Sequence, residues 1–370
     1  MKKVLLSGYY GFDNSGDDAI LRALVDDIKK LNSDIEIIVL SKDPAKTERL
    51  YGVKAVNRFS IKEVNSALNY VDMFVSGGGS LLQDVTSTRS IIYYLAVIYM
   101  ALMKKKKTYV IANGIGPIDK PFNRRMTKKI LNRVDYITLR DEDSFEFVKE
   151  LNVKNPKIEV TSDPVFRLKE TSEERIDEIF ELEKFPKDRK LVGISLRNWK
   201  NIDNIIENLS EFCNRIISEE DVDIVFIPMH FPEDLDISKQ VMDKIEYRDN
   251  IHILDNKYSA EEIIGVISRL DIILAMRLHA LIYAIKCETP IVGLVYDPKL
   301  DGLLKEVEVE EKVNIEDFTV DELYDNFMKV YSDIDGHLNN LHDHRIRLQS
   351  AAKRNIDIIE ELLEGENGKN

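Results

Sequence analysis

Two cysteines in 370 residues, Cys213 and Cys287, leave no material for a disulfide framework and show no CxxC spacing, so a reducing compartment is expected. The apolar run from Ile91 to Met103 is thirteen residues long. It is shorter than the ~20 that a membrane-spanning helix needs. Met1-Lys2-Lys3 leads at once into Val4-Leu5-Leu6 without the apolar region and small-residue cleavage site of a signal peptide, and a cytoplasmic protein is expected. Positive charge is scarce: 52 Lys and Arg stand against 66 Asp and Glu, a net charge of −14. That balance argues against a general nucleic-acid binder, which needs a basic face, so any anion must be caught locally. GxSxG, Walker and HExxH motifs are all absent. In His342-Asp343-His344 the two imidazoles would point to different faces of a helix. Neither a metal nor a resident cofactor is expected, and the chemistry falls to basic side chains.

What is present is a soluble composition, 44% hydrophobic and 32% charged, in a chain long enough for about two domains. Strand-like and helix-like stretches alternate, the pattern of parallel α/β architecture. Strands are predicted at Lys3–Ser7, Glu36–Leu40, Met73–Ser76, Thr108–Ala112, Tyr136–Leu139 and Ile158–Val160, then at Leu191–Ser195, Asp223–Ile227, His252–Leu254, Ile272–Ala275 and Ile291–Leu294. The Glu- and Lys-rich stretch between the groups, with Pro186, reads as a linker with a helix. The expected fold is α/β: two Rossmann-like domains facing across a cleft. The expected divisions are 1–168 on the acceptor side, a linker at 169–190, 191–335 on the donor side, and a C-terminal helix and tail at 336–370. Within that last part, His337 to Leu363 reads as one long amphipathic helix, able to pack on the second domain or cross back to the first, followed by a polar tail, Glu364 to Asn370.

Ligands of such folds sit at the carboxyl ends of strands beside helix N-termini, and several strand ends here carry chemistry. Arg277 and His279 interrupt the apolar seam between a strand and a helix. Arg140, Arg197, His230 and Lys299 follow other strands, and together these residues outline a cationic cleft; Arg140 alone could merely pair with Asp141 or Asp163. Gly77-Gly78-Gly79 with Ser80, Gln83 and Asp84 reads as a loop whose backbone N–H groups can approach a ligand. Asn113-Gly114-Ile115-Gly116-Pro117 and Thr161-Ser162-Asp163-Pro164 repeat the arrangement. Near the start, Asp13 and Asn14 suit hydroxyl-rich ligands, although a plain turn serves as well. Asp17 and Asp18 there favour helix-dipole capping over phosphate contact. The helix Ile91–Lys107, closed by Lys104 to Lys107, reads either as a core helix with a solvated cluster or as a surface for an anionic membrane or lipid-linked substrate.

GYYGFDNSGDDAIL, SGGGSLLQDVTSTRSIIYYL, NGIGP, ITLRDEDS, VTSDP, GISLR, MRLHAL and VYDPK occur in the order found in the polysaccharide pyruvyl transferase family. The sequence resembles its CsaB-like branch most, over roughly residues 4 to 300. The resemblance implies a GT-B-like fold, no metal, and phosphoenolpyruvate as donor. It implies transfer of the enolpyruvyl group to a lipid-linked saccharide containing N-acetylmannosamine, giving a 4,6-pyruvate ketal and free phosphate. The product would serve secondary cell-wall polymer synthesis and S-layer anchoring, while the protein itself is expected in the cytoplasm, with peripheral contact at the inner face of the cytoplasmic membrane left open. The family's Arg-Leu-His falls on Arg277-Leu278-His279, its later lysine on Lys299 and its LRD arginine on Arg140. Asn113 stands where relatives often carry Gln, which is expected to affect acceptor fit.

The residues agree with that implication. A compact polyanion in a partly dehydrated site needs cations, so Arg277, Lys299, Arg140 and Arg197 are expected to bind the donor. Histidine is the side chain best suited to proton transfer near neutrality, which makes His279 the expected acid/base. Asp13, Asn14, Gly78, Gly79, Ser80, Gln83, Asp84, Asn113 and His230 are expected on the acceptor side, with Asp13, Asp84 and His230 open as bases. The rival readings are a sugar-nucleotide glycosyltransferase on the same architecture and a non-catalytic polysaccharide-binding protein.

Overall fold

The computed structural model describes residues 1–85 and 87–365. The chain divides into two compact units: Met1–Leu168 joined by the chain from Leu348 onward, and Lys169–Arg347. The first holds a seven-stranded sheet of β1 (Lys3–Ser7), β2 (Glu36–Ser41), β3 (Lys54–Asn57), β4 (Met73–Leu82), β5 (Lys107–Ile115), β6 (Tyr136–Leu139) and β7 (Lys157–Val160), in the order β3-β2-β1-β4-β5-β6-β7. The second holds β8 (Lys190–Ser195), β9 (Val222–Phe226), β10 (Ile251–Ile253), β11 (Ile272–Ala275), β12 (Ile291–Val295) and β13 (Lys312–Asn314), in the order β10-β9-β8-β11-β12-β13. Every pairing is parallel. Strand order reverses once in each sheet, between β1 and β4 and between β8 and β11, and such switch points are where open α/β sheets bind ligands.

Local sequence explains the elements. Val4-Leu5-Leu6 and Ile272-Ile273-Leu274-Ala275 are wholly buried, as strands covered on both faces by helices must be. Helices after the strands start on side-chain caps: Asn14 accepts from the N–H groups of Gly16 and Asp17, Asp141 from Ser144, and Asp297 from Lys299. Ser259 and Glu262 form a reciprocal capping box.

Several boundaries differ from the sequence reading. β4 does not stop before the glycines but runs through them to Leu82, with an irregular register between Gly79 and Leu82. A Cβ on Gly77 would lie 2.2 Å from the Ile111 carbonyl oxygen, and one on Gly78, where φ is +77°, would lie 2.0 Å from Ile20 Cγ2. These two glycines are required by packing against β5 and the helix Ser15–Leu31, not by an open loop. β5 likewise continues through Asn113 and Gly114. β3 and β13, not foreseen, are edge strands of four and three residues, too short and polar to show a pattern.

The expected linker at 169–190 belongs to the second unit. Its helix Glu173–Glu183 buries Ile176, Ile179 and Phe180. The helix expected over Ile91–Lys107 is Thr88–Met103; Lys104 caps it, Lys105 has φ +55°, and Lys107 already begins β5. The final helix, Ile334–Glu364, begins three residues earlier than predicted, and its residues from Leu348 on are part of the first unit. There Asn355, fully buried, accepts from Thr138 Oγ1 (2.7 Å) and Thr161 Oγ1 (2.9 Å) and donates to the Ser162 carbonyl (3.0 Å). Of the polar tail, residues 366–370 lie outside the described residues.

Candidate active site

In the first unit the strand ends beside the switch point carry a polar cluster. Arg140, just past β6, is buried; it donates to Ser80 Oγ (2.8 Å) and Asp141 Oδ2 (3.3 Å) and lies 3.7 Å from Asp163 Oδ2. Gly114 makes room for it, since a Cβ there would stand 2.9 Å from Arg140 Nη2. Both partners that the sequence offered to Arg140 are therefore used. Asp17 faces Gly79, whose Cβ would come 3.2 Å from Asp17 Oδ1. Lost hydration, and then the negative charges of Asp18 and Asp163, push its carboxyl up to about 8, while Arg140 and Arg58 pull the other way. Asp17 and Asp18 stand in the first helical turn, as expected, with Asn14 as the side-chain cap, and Asp17 also belongs to the charge cluster.

Arg58, which the sequence reading did not single out, is buried under this edge. It donates to the Gly8 carbonyl (2.7 Å) and to Tyr94 Oη (3.1 Å), and Phe12, Phe59, Tyr93 and Tyr94 surround its guanidinium at 4.6–5.6 Å. Its Nε has no hydrogen-bond partner among the described residues. Neither polar side-chain atom of Asn113, fully buried opposite Gly79 and Leu139, has one either. An unsatisfied buried amide costs about 1–3 kcal/mol, which a ligand hydroxyl or amide would recover.

Other expected acceptor residues are tied down. Asp84 accepts from the N–H groups of Asp119 (2.8 Å) and Lys120 (3.1 Å) and from Asn123 Nδ2 (2.7 Å). Those bonds hold its carboxyl below the usual range despite burial. A carboxylate so occupied is a latch on the 119–123 turn rather than a base. Asn14 is spent as a helix cap, and Asp13, at φ +59°, pairs with Lys46.

In the second unit, Arg277 caps the strand-to-helix turn after β11, and its fork meets a carboxylate the sequence reading missed. Asp234, with no exposed surface, accepts from Arg277 Nε (2.8 Å) and also from Nη2, from the His230 N–H (2.9 Å) and from the Met229 N–H (3.1 Å). One buried Asp thus joins the end of β11 to the turn after β9. His279 stands in the first turn of the helix Leu278–Cys287, with its ring 6.4 Å from that of Tyr283. Beyond β8, Arg197 donates to Tyr296 Oη and lies 4.8 Å over the Tyr296 ring and 5.4 Å over that of Trp199. Its Nε is buried without a partner among the described residues. Lys299 opens the helix Pro298–Glu306, and its N–H donates to Asp297 Oδ1 (2.8 Å). The cationic cleft expected from sequence is therefore corrected in part: Arg140 and Arg277 are each matched by buried carboxylate, whereas the contacts of Arg197 are aromatic. Among the described residues no group of three or more His, Cys, Asp or Glu is placed to hold a metal ion.

The sequence matches the polysaccharide pyruvyl transferases from residue 14 to residue 298. The chain belongs to that family. Membership makes it a member of a transferase family and agrees with the resemblance carried by the ordered motifs. This pyruvyl transferase family member is 19% identical over 380 residues to the amylovoran biosynthesis protein AmsJ of Erwinia amylovora, covering 84% of this chain and 87% of the relative. Solved structures share its fold. A putative UDP-N-acetylglucosamine 2-epimerase from Listeria monocytogenes superposes with a TM-score of 0.71 at 13% identity, over 99% of this chain and 98% of the other. Anabaena HepE, solved with UDP and glucose, gives 0.67 at 13% identity over 99% and 100%. The expected GT-B-like pair of Rossmann units is thus the observed fold.

Arg58 and Asp234 escaped the sequence reading for identifiable reasons. Arg58 follows β3, a strand too short to predict, so its place at a strand end was hidden. Asp234 lies in a run rich in acids, Glu233-Asp234-Leu235-Asp236, where nothing in the spacing marks the buried one.

Proposed function

We propose that the protein transfers the enolpyruvyl group of phosphoenolpyruvate to two hydroxyls of one sugar, forming a pyruvate ketal and releasing phosphate. A first sugar hydroxyl adds to C2 as C3 takes a proton and becomes methyl. The C2–O bond to phosphate then breaks, and the second hydroxyl captures the oxocarbenium-like centre and loses its proton. Arg277, with Arg197 and Lys299, binds carboxylate and phosphate at the second unit's strand ends, and Arg140 is a further donor-binding candidate. His279 carries the proton to C3. Asn113 and the Asp17–Ser80 edge receive the sugar, with Gly79 leaving the space and Asp13 as a candidate base; His230 is a separate base candidate. The acceptor we propose is a lipid-linked cell-wall saccharide containing N-acetylmannosamine, modified at its 4- and 6-hydroxyls in the cytoplasm.

The observation that carries this reading is the Arg277–His279 pair at the switch point of the second sheet, in a chain of this family. Buried Asp234 holds the guanidinium fork, and a helix N-terminus lies directly behind it. The test is acceptor-dependent phosphate release from phosphoenolpyruvate, with mass analysis of the acceptor. His279→Gln is expected to lower turnover by about 10²–10⁴-fold with donor affinity kept. Arg277→Lys is expected to weaken donor binding, because an ammonium cannot reproduce the two-pronged contact. Turnover of a UDP-sugar with no phosphoenolpyruvate binding would instead establish a glycosyltransferase, the rival reading of the sequence.

A further inference from the structure

The helix Thr88–Met103 buries Ile91, Tyr94, Leu95, Ile98 and Ala101 and leaves Arg89, Ile92, Ala96, Tyr99 and Met103 exposed. These five recur at spacings of three and four and so form one stripe. A surface helix ordinarily turns charge to solvent on that side. Here the stripe is apolar after its first residue, with Ile92 39%, Tyr99 42% and Met103 57% exposed. The helix Pro121–Leu131 packs beside it and exposes Phe122, 65% open, together with Arg125, Lys128 and Lys129. Arg133, just past that helix, lies 5.6 Å over the Tyr99 ring, so a basic row borders the apolar one. Residues 104–133 contain ten Lys and Arg and a single acid, Asp119, in a chain whose net charge is −14.

We propose that this face of the first unit docks on an anionic lipid surface. The apolar stripe enters the headgroup boundary and the basic row meets lipid phosphates, as interfacial helices do. Charge decides among occupants. A second copy of the chain packed two-fold on this face would set the basic rows against each other, and a nucleic acid would leave Ile92, Ala96 and Met103 in water. Insertion across the bilayer is not at issue, since no helix among the described residues is long and apolar enough to cross a membrane. Docking does not depend on the transfer chemistry; its use, presenting the enzyme to a lipid-linked acceptor, rests on the function proposed above.

The test is flotation of the full chain with phosphatidylcholine vesicles, with and without phosphatidylglycerol. Partition is expected into the anionic vesicles only, and to weaken as salt rises. Joint Arg125→Gln, Lys128→Gln and Lys129→Gln substitution is expected to lower it about a hundredfold, from about 1 kcal/mol per cation near the surface. Joint Tyr99→Ser and Met103→Ser substitution is expected to lower it about tenfold. All five positions are exposed, and unchanged thermal melts confirm folding. Equal partition into neutral and anionic vesicles, no partition into either, or variants that float like the wild type would overturn the proposal. So would a lipid-free dimer that the same substitutions dissociate. Phosphate release with a short soluble acceptor is expected to be unaltered by these variants, which keeps failure of docking separate from failure of the transfer reading.

Discussion

Replacing Asp234 with Ala tests whether one buried carboxylate organises the second unit's strand ends. The substitution removes the buried counter-charge of Arg277, whose side chain is 17% exposed, and leaves the N–H groups of Met229 and His230 without their acceptor. Breaking a buried pair by deleting one partner costs about 3–5 kcal/mol. Partial exposure of Arg277 puts its share near the lower end, and the two stranded N–H groups add roughly 1 kcal/mol each if water does not reach them. A total of about 5 kcal/mol in a unit of this size lowers its melting temperature by about 10–20 °C. Differential scanning calorimetry reads this directly. Adding Arg277→Met to Asp234→Leu is expected to recover the ion-pair share but not that of the N–H groups. A melting temperature within about 2 °C of wild type for Asp234→Ala would refute the reasoning, because it would mean that Arg277 and both turns are held by something else.

Asp17 gives a pH signature. Its carboxyl, raised to about 8, keeps a proton in the folded state that an ordinary unfolded carboxyl releases near 3.8, so its contribution to stability is expected to fall between those values and level off above. Asp17→Asn should flatten that slope and melt above wild type at pH 8, with the gap closing toward pH 4; parallel melting curves across the range would contradict this. Gly78→Ala is expected to cost about 2–4 kcal/mol, measured by urea denaturation, because its methyl meets Ile20 at a positive φ; Ile20→Ala should restore only the steric part. Asp84→Ala is expected to loosen the 119–123 turn, seen as faster amide exchange at Asp119 and Lys120, and any loss of activity should follow that loosening rather than removal of a base.

The sheets were legible because their interior strands are apolar on both faces: Val4-Leu5-Leu6 and Ile272-Ile273-Leu274 announce themselves. Lys54–Asn57 and Lys312–Asn314 do not, since an edge strand with one covered face needs few apolar residues. Strand ends were legible as places for chemistry, and Arg140, Arg197, Arg277 and His279 do stand there. Occupancy was not legible. Whether Asn14 caps a helix, Asp84 latches a turn or Asp17 sits among other charges depends on partners tens of residues away that no local spacing encodes. The three glycines show the same limit from the other side: a pattern that suits a ligand loop also suits a strand pressed against Ile20 and Ile111.

The final helix carries a consequence for how the molecule is made. The first unit is discontinuous, closed by the segment that begins at Leu348, after the whole second unit has been translated. At roughly 5–20 residues per second, the stretch from Lys169 to Arg347 takes about 10–35 s to synthesise. Throughout that interval Thr138, Thr161 and the Ser162 carbonyl wait for Asn355, and Leu348, Ala352, Ile356 and Ile359, buried in the finished fold, are not yet made. The second unit can therefore complete its core while the first is still open. A chain cut short before Leu348 should therefore accumulate with its amino-terminal half, not its middle, sensitive to protease.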